Sequence, residues 1–424
     1  MSLTFKKDIQ YYKFCLYGFL KNQRFFEPFY MLFLYEELKV DLVSIGILYA
    51  VREIVKNVFE IPSGMLADAF GRRATMMGAF ALYSLSFILY FFSTEFTMLV
   101  IACAVFGAAD AFRTGTHKAM IFQYLKIKGW ENQKVHYYGH TRSWSQFGTA
   151  VSSLIAAVLV FRSGNYSSIF LYSLVPYTLD FLLMASYPKV LEGESLNRPN
   201  QNFLFVFNKI IREFILSFKN IQLFKAITNM SAYSGYYQAV KDYLQLVIRT
   251  FALSTSVFVF LEQKKRIIVL MGIFYFFLNL STMLAARNSG KISDKFRHLS
   301  RPINLTLIAG LLAGILLGIF YKIGLPLISV LLFFIIYILE NLRRPMAVSY
   351  VTEQLNDNIL ASVLSAESQA NTVFAAIIAV LLGFFADKFG IETGFIIISS
   401  LLLLLSPFYL IGKSGMKDSV SHGN

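Results

Sequence analysis

The residues of this chain that carry chemistry are charges set inside long apolar runs. Lys13, Lys21, Arg24 and Glu27 interrupt the first run, and Arg52, Glu53, Lys56 and Glu60 the second. Asp110 and Arg113 sit in the fourth, Lys241 and Asp242 in the seventh, and Glu340 beside Asn341 in the tenth. An ionised side chain in hydrocarbon costs about 3 kcal/mol on insertion scales, so each must face water, a ligand or an opposite charge. Helical spacing gathers them into faces. Lys13, Tyr17, Arg24 and Glu27 follow one stripe; Glu53, Asn57, Glu60 and Gly64 follow another. At about 1.5 Å of rise per residue, Glu53 falls near the middle of its run, with Arg24 and Glu27 at similar depth. Two chemistries fit. The charges form neutral pairs that glue helices, such as Arg24 with Glu27, Arg52 with Glu53 and Asp110 with Arg113. Alternatively, Arg24, Glu27, Arg52 and Glu53 line a polar path for a solute, with Glu27, Glu53 or Asp110 taking up a proton. In the second half of the chain, Glu340 and Asn341 form a polar site. Tyr236 and Lys241, with Tyr233 and Tyr237, offer an aromatic and cationic wall; the alternative for those rings is anchoring at the membrane interface.

Other chemistries lack their residues. His136 and His140 are four apart but have no carboxylate in an HExxH arrangement, so no metal site is expected. The phosphate-binding pattern GxxxxGK[ST] and the nucleophile elbow GxSxG are absent, so neither nucleotide hydrolysis nor acyl-transfer catalysis is expected, and no cofactor. Cys15 and Cys103 lie in apolar surroundings and read as buried small hydrophobes.

The elements that must position these charges follow from composition. Of 424 residues, 56% are hydrophobic and only 15% charged, with 43 Phe and 24 Tyr. A soluble domain carries roughly a quarter charged residues. The chain therefore reads as an all-α integral membrane protein, with apolar runs long enough for helices. The net charge of +14 would suggest nucleic acid in a soluble protein; here it reads as cationic loops at an anionic leaflet, with the lipid bilayer as partner. Candidate spans fall near residues 11–34, 43–63, 74–92, 97–118, 143–161, 168–187, 223–243, 267–287, 303–320, 325–342, 368–386 and 394–411. No cleavable leader is visible, because Lys13, Lys21 and Arg24 break the first run. Loops on the side of the termini hold about three times as many Lys and Arg as the opposite loops, which places both termini in the cytoplasm.

The longest connection, 188–222, begins as a polar linker with Pro199. It continues as an amphipathic segment with Phe203, Phe207, Ile210, Ile211, Phe214 and Ile215 on one side, suited to the inner membrane surface. It divides the chain into 1–187 and 223–424. The two parts repeat. Ser63-Gly64-Met65-Leu66-Ala67-Asp68-Ala69-Phe70 follows the second span. Ser289-Gly290-Lys291-Ile292-Ser293-Asp294-Lys295-Phe296 follows the eighth, with Ser, Gly, Asp and Phe coincident. The same offset places Gly164 on Gly390, and a similar one places Arg113 on Arg343. A duplicated six-helix unit is a transporter architecture.

The stretch Gly64-Met65-Leu66-Ala67-Asp68-Ala69-Phe70-Gly71-Arg72-Arg73 resembles the G-x-L-A-D-x-x-G-R-[KR] motif of the major facilitator superfamily, in the loop where that family carries it. The resemblance extends over nearly the whole chain, and EIPSGMLADAFGRR with FRTGTHKAMIFQYLK is similar to a bacterial subgroup. It implies two parallel-repeat bundles of six transmembrane helices. It also implies a conformational latch at Gly64, Asp68, Gly71, Arg72 and Arg73, echoed by Gly290 and Asp294, that closes when the protein opens outward. The family's acidic partner near the inner end of helix 4 is replaced here by Gln123. Its mid-helix arginine is replaced by Cys103, four residues before Gly107, so proton roles assigned to that arginine do not carry over.

These readings converge on a secondary transporter, not an enzyme. It moves a small solute by alternating access, coupled to protons, as a monomer in a bacterial inner membrane. The excess of Arg and Lys over acids in the first spans favours an anionic or zwitterionic solute. The alternatives are export of drugs or other amphipathic compounds, and a non-transporting sensor or scaffold on the same fold. The orientation is testable at once: a cysteine near Asn165 should react with an impermeant reagent added outside intact cells, and one near Arg198 should not. The reverse pattern would invert the topology.

Overall fold

Backbone amides in hydrocarbon have no water to bond, so apolar runs satisfy them internally as helices. The computed structural model describes residues 7–114, 116–130, 134–192, 221–296, 298–353 and 357–412, and every regular element among them is helical. The proposed surface segment 203–215 and the rest of the linker from residue 193 to 220 lie outside the described residues, as do the side chains of Asp68 and His136.

The first apolar run is α1 (Ile9–Leu20), a break, and then α2 (Tyr30–Leu32) continued by a π turn (Phe33–Glu37). There follow α3 (Leu42–Phe70), α4 (Arg72–Phe92), α5 (Phe96–Arg113), α6 (Thr116–Ile127), α7 (Lys134–Ser163) and α8 (Ser168–Ala185). After the linker come α9 (Ile221–Val240), a 3-10 turn (Lys241–Tyr243), α10 (Leu244–Ser254), α11 (Gln263–Ser293), α12 (Ser300–Lys322), α13 (Pro326–Glu353), α14 (Asp357–Phe389) and α15 (Ile391–Tyr409). Among the described residues, nine helices are long and apolar enough to cross a membrane. The runs 9–37, 42–70 and 221–254 are not among these nine; the first and the last are interrupted, at 21–29 and at the 3-10 turn Lys241–Tyr243.

Helix α3 packs along both α5 and α14, and α7 packs against α1 and α11. The pairs α3–α14 and α7–α11 are thus the two seams between the parts before and after the linker. Polar contacts stitch the first seam along its length. Asn57 donates to Thr372 at 3.0 Å, Ser368 to Glu60 at 3.2 Å, and the backbone amides of Leu42 and Val43 donate to Asp387 at 3.1 and 2.7 Å. Asp387 therefore satisfies two amides at the α3 N-terminus, where a helix has no internal acceptors and favours negative charge. Close approach depends on glycine here. A Cβ on Gly383 would strike the backbone of Leu42 and Val43.

Gly64 does not serve that purpose. Among the described residues nothing lies within 4 Å of the place its Cβ would occupy, and it is exposed. Gly71 is different, with φ at +90°, a conformation that L side chains rarely adopt, and it turns α3 into α4.

The break in the first run is the costly feature. Residues 21–29 leave helical bonding ahead of Pro28, which has no amide to donate. The freed groups are met one by one. Asn22 donates to the Gly18 carbonyl at 2.6 Å, Gln23 to the Gly148 carbonyl at 3.1 Å, and Tyr177 to the Lys21 carbonyl at 3.3 Å. Across the seam, the Gln245 carboxamide accepts from the amides of Met31 at 2.8 Å and Leu32 at 3.3 Å and donates to the Glu27 carbonyl at 2.9 Å. Replacing Gln245 by Leu strands three buried backbone groups, at about 1–3 kcal/mol each. The purified Gln245→Leu protein should therefore melt several degrees below the parent. An unchanged melting temperature would show that the break does not depend on this contact.

Candidate functional site

The break in the first run and the 3-10 turn at Lys241–Tyr243 face one another, and the cavities open between them. A central cavity of about 160 Å³ is lined by Arg24, Glu27, Arg52, Glu53, Asp110, Arg113, Lys241 and Asp242, with Lys56, Gln238 and the rings of Phe26, Tyr30 and Phe106. A second, of about 170 Å³, shares Arg24, Glu27, Lys241 and Asp242 and adds Asn341, Tyr237, Tyr275, Tyr337 and Asn279. A third and larger one, about 540 Å³, shares Arg113 and runs toward the Gly71 end between Lys21, His117, Lys118, Arg142 and Arg344. At the opposite end the two parts are tied together by a direct Glu36–Arg249 ion pair, by Gln245 and by Asp387. Among the described residues, these ties lie toward the Gly390 end and the 540 Å³ cavity toward the Gly71 end.

The central cavity holds nine charged groups. Left bare in hydrocarbon, these would cost on the order of 25 kcal/mol, so pairing and water must offset nearly all of it. Arg24 and Arg113 share Asp110, at 3.5 and 3.1 Å. Tyr83 donates to the same carboxylate, and Arg113 donates to the Tyr83 oxygen at 3.0 Å. Arg52 and Lys56 share Glu53, at 3.6 and 3.7 Å. The Arg52 guanidinium also lies 5.1 Å from the Tyr49 ring centre and 6.0 Å from that of Phe106, a cation–π contact. Glu27 and Lys241 enter no ion pair among the described residues, although both face the cavity.

The sequence-derived residues divide accordingly. Arg24, Glu27, Arg52, Glu53, Asp110, Arg113 and Lys241 come together around one cavity, and Asn341 joins them through the second. Among the expected pairs, Arg52–Glu53 and Asp110–Arg113 form. Arg24 takes Asp110, from α5, in place of Glu27 on its own segment. Tyr236 turns away and shares a hydrogen bond of 2.9 Å with Ser399 inside the second part. Glu340 is buried and accepts from Ser234 at 2.7 Å, outside the three cavities. Cys103 is free and buried, sharing weak hydrogen bonds with Tyr30 and Tyr90.

Arg72 and Arg73 make their described hydrogen bonds near their own helices. Arg72 donates to the Ala119 carbonyl at 3.5 Å and Arg73 to the Tyr187 carbonyl at 3.2 Å, both within their own part. Gly290 and Asp294 are exposed. Asp68 is in α3, its side chain outside the described ones.

Three polar residues near the cavities were not singled out from sequence: Asp180, His117 and Tyr83. Asp180 had a signal, being the single charge in the apolar α8. A second signal was also available. Asp110-x-x-Arg113 recurs as Glu340-x-x-Arg343, and each arginine lies by a tyrosine of the first helix in its part, Tyr17 and Tyr233.

The comparisons with known proteins agree with this geometry. The sequence profile of the Major Facilitator Superfamily matches residues 22–366. A curated relative, the uncharacterized MFS-type transporter YxaM of Bacillus subtilis (strain 168), is 23% identical over 399 residues, covering 91% of each chain. Among solved structures, the nucleoside transporter NupG superposes with a TM-score of 0.75 at 13% identity, covering 95% of this chain and 98% of that one. A POT family transporter in complex with a thioalcohol conjugated peptide gives 0.70 at 13% identity, covering 95% of each. The chain belongs to the major facilitator superfamily. It is a multi-pass membrane transporter and not an enzyme.

Asp110 is the keystone of the central network. Asp110→Asn leaves Arg24 and Arg113 without their shared anion in a buried site, a loss of about 3 kcal/mol or more. Glu53→Gln leaves Lys56, which is partly exposed, and Arg52, which keeps its ring contacts. In thermal unfolding of the purified variants, Asp110→Asn should fall clearly further than Glu53→Gln. Equal losses would show that the two carboxylates carry equivalent pairs.

Proposed function

We propose that this protein is a secondary transporter that moves a small zwitterionic solute by alternating access, driven by protons. The observation that carries the reading is the pair Glu27 and Lys241. They lie on opposite parts of the chain, line the same two cavities, and are the charged groups there left out of ion pairs among the described residues with Asp242. A solute ammonium would meet Glu27 and a solute carboxylate Lys241, so binding would draw the two parts together, as occlusion requires. The charged lining suits a polar solute better than an amphipathic one. Solved structures of this fold are named for nucleosides and for peptides; of these, the free charges suit a peptide-like zwitterion.

We read the architecture as twelve spans in two six-helix repeats, 1–187 and 223–424, joined by 188–222. Repeated packing supports it: α1–α7, α3–α5, α4–α5 and α4–α8 in the first part correspond in order to α9–α14, α11–α13, α12–α13 and α12–α15 in the second. The loop charges support cytoplasmic termini in a bacterial plasma membrane, and with them a cavity open to the cytoplasm. Nothing in this arrangement calls for a second copy, so the working unit is a monomer. Asp68, Arg72 and Arg73 would engage the second part only when the Gly71 end closes.

A thermal-shift screen of amino acids and short peptides against the purified protein tests the reading. A zwitterionic solute should stabilise the parent, and Glu27→Gln or Lys241→Gln should each weaken it tenfold or more, about 1.4 kcal/mol. Stabilisation by amphipathic cations alone, or undiminished binding in both variants, would overturn it.

A further inference from the structure

Asp180 is the one charge in the apolar α8 and is fully buried, and neither of its carboxylate oxygens has a hydrogen-bond partner among the described residues. An ionised carboxylate without donors is among the costliest groups to hold in a membrane interior. The charges that act on it are Lys21, at the break after α1, and Arg113 of α5. The phenols of Tyr17, Tyr177 and Tyr187 share its surroundings. Helix α4, packed along α8, presents the rings of Phe80, Tyr83 and Phe87 to Tyr177, and α7 supplies none of the charges acting on Asp180.

Asp180 itself lines none of the cavities described above. Tyr17, Lys21 and Arg113 line the 540 Å³ cavity on one side and influence Asp180 on the other. Lys21 enters no ion pair among the described residues, and Arg113 is held by Asp110 and Tyr83.

We propose that Asp180 is a proton-binding site, set behind the solute path and distinct from the carboxylates that line it. The proposal deepens the proton-driven reading above and rests on it for its role in transport. The carboxylate takes a proton from hydronium in the large cavity, leaving water and a neutral acid, and no other bond changes. On this proposal the neutral acid goes with the arrangement in which Arg113 turns to Asp110. Loss of the proton restores a buried negative charge that competes with Asp110 for Arg113. Withdrawing Arg113 leaves Asp110 to Arg24 alone and alters the solute cavity. Proton and solute are then coupled through one shared arginine.

Infrared difference spectroscopy on the full-length purified protein across a pH titration tests the site, with the proton itself as the probe. A protonated-carboxyl band should persist at neutral pH in the parent, vanish in Asp180→Asn and survive in Glu53→Gln and Glu27→Gln. Lys21→Gln, which removes a neighbouring cation, should extend the band to higher pH, and a merely structural Asp180 would not respond in that way. That variant also decides the matter if Asp180→Asn fails to fold. A parent without the band at neutral pH, or a band unchanged in Asp180→Asn, overturns the proposal. Counterflow in proteoliposomes separates the two readings. The band without solute exchange sinks transport and leaves the proton site standing, whereas exchange without the band does the reverse.

Discussion

A polar group placed in hydrocarbon must find its partner within the chain, and the rest of this structure follows from how that demand is met. The first apolar run is broken for nine residues at its centre. Its freed carbonyls and amides are answered by Asn22 and by Gln23, which donates to the Phe19 carbonyl, by Tyr177 from α8, and by Gln245 from beyond the linker. These contacts hold the break open as a polar niche. They also bind the two parts at the level where solute would sit, so the same interaction that satisfies backbone creates the site.

The charges around the niche obey the same demand at higher stakes. Asp110 holds two arginines and Glu53 an arginine and a lysine, and these clusters spend their charge on one another. Among the described residues Glu27, Lys241 and Asp242 of the same cavity enter no ion pair, and the proposals above rest on that contrast.

Closure at one end has a comparable economy of parts. Ala67-Asp68-Ala69-Phe70-Gly71 and Ala386-Asp387-Lys388-Phe389-Gly390 share an Ala-Asp-x-Phe-Gly pattern, and both glycines take φ near +90°. Asp387 holds the α3 N-terminus, while among the described residues Arg72 and Arg73 bond within their own part. The two copies of the pattern thus differ in partners although their backbones turn alike.

The sequence by itself determined the membrane class, the helical fold, the family motif and the set of charges that had to cluster, because hydrocarbon permits so few ways to satisfy a backbone or a charge. It could not assign partners. Arg24 pairs with Asp110 on α5 and not with Glu27 one turn away, Tyr236 turns to Ser399, and Gly64 faces open space. Each of these is decided by which helices cross at that depth, a property of tertiary packing that spacing along one helix does not contain. The tertiary structure alone separated paired charges from unpaired ones, since the Arg24–Asp110 pair joins the break in the first run to α5, 86 positions along the chain. It alone showed that Asp180, an unremarked acid in a plain apolar run, has no partner at all among the described residues.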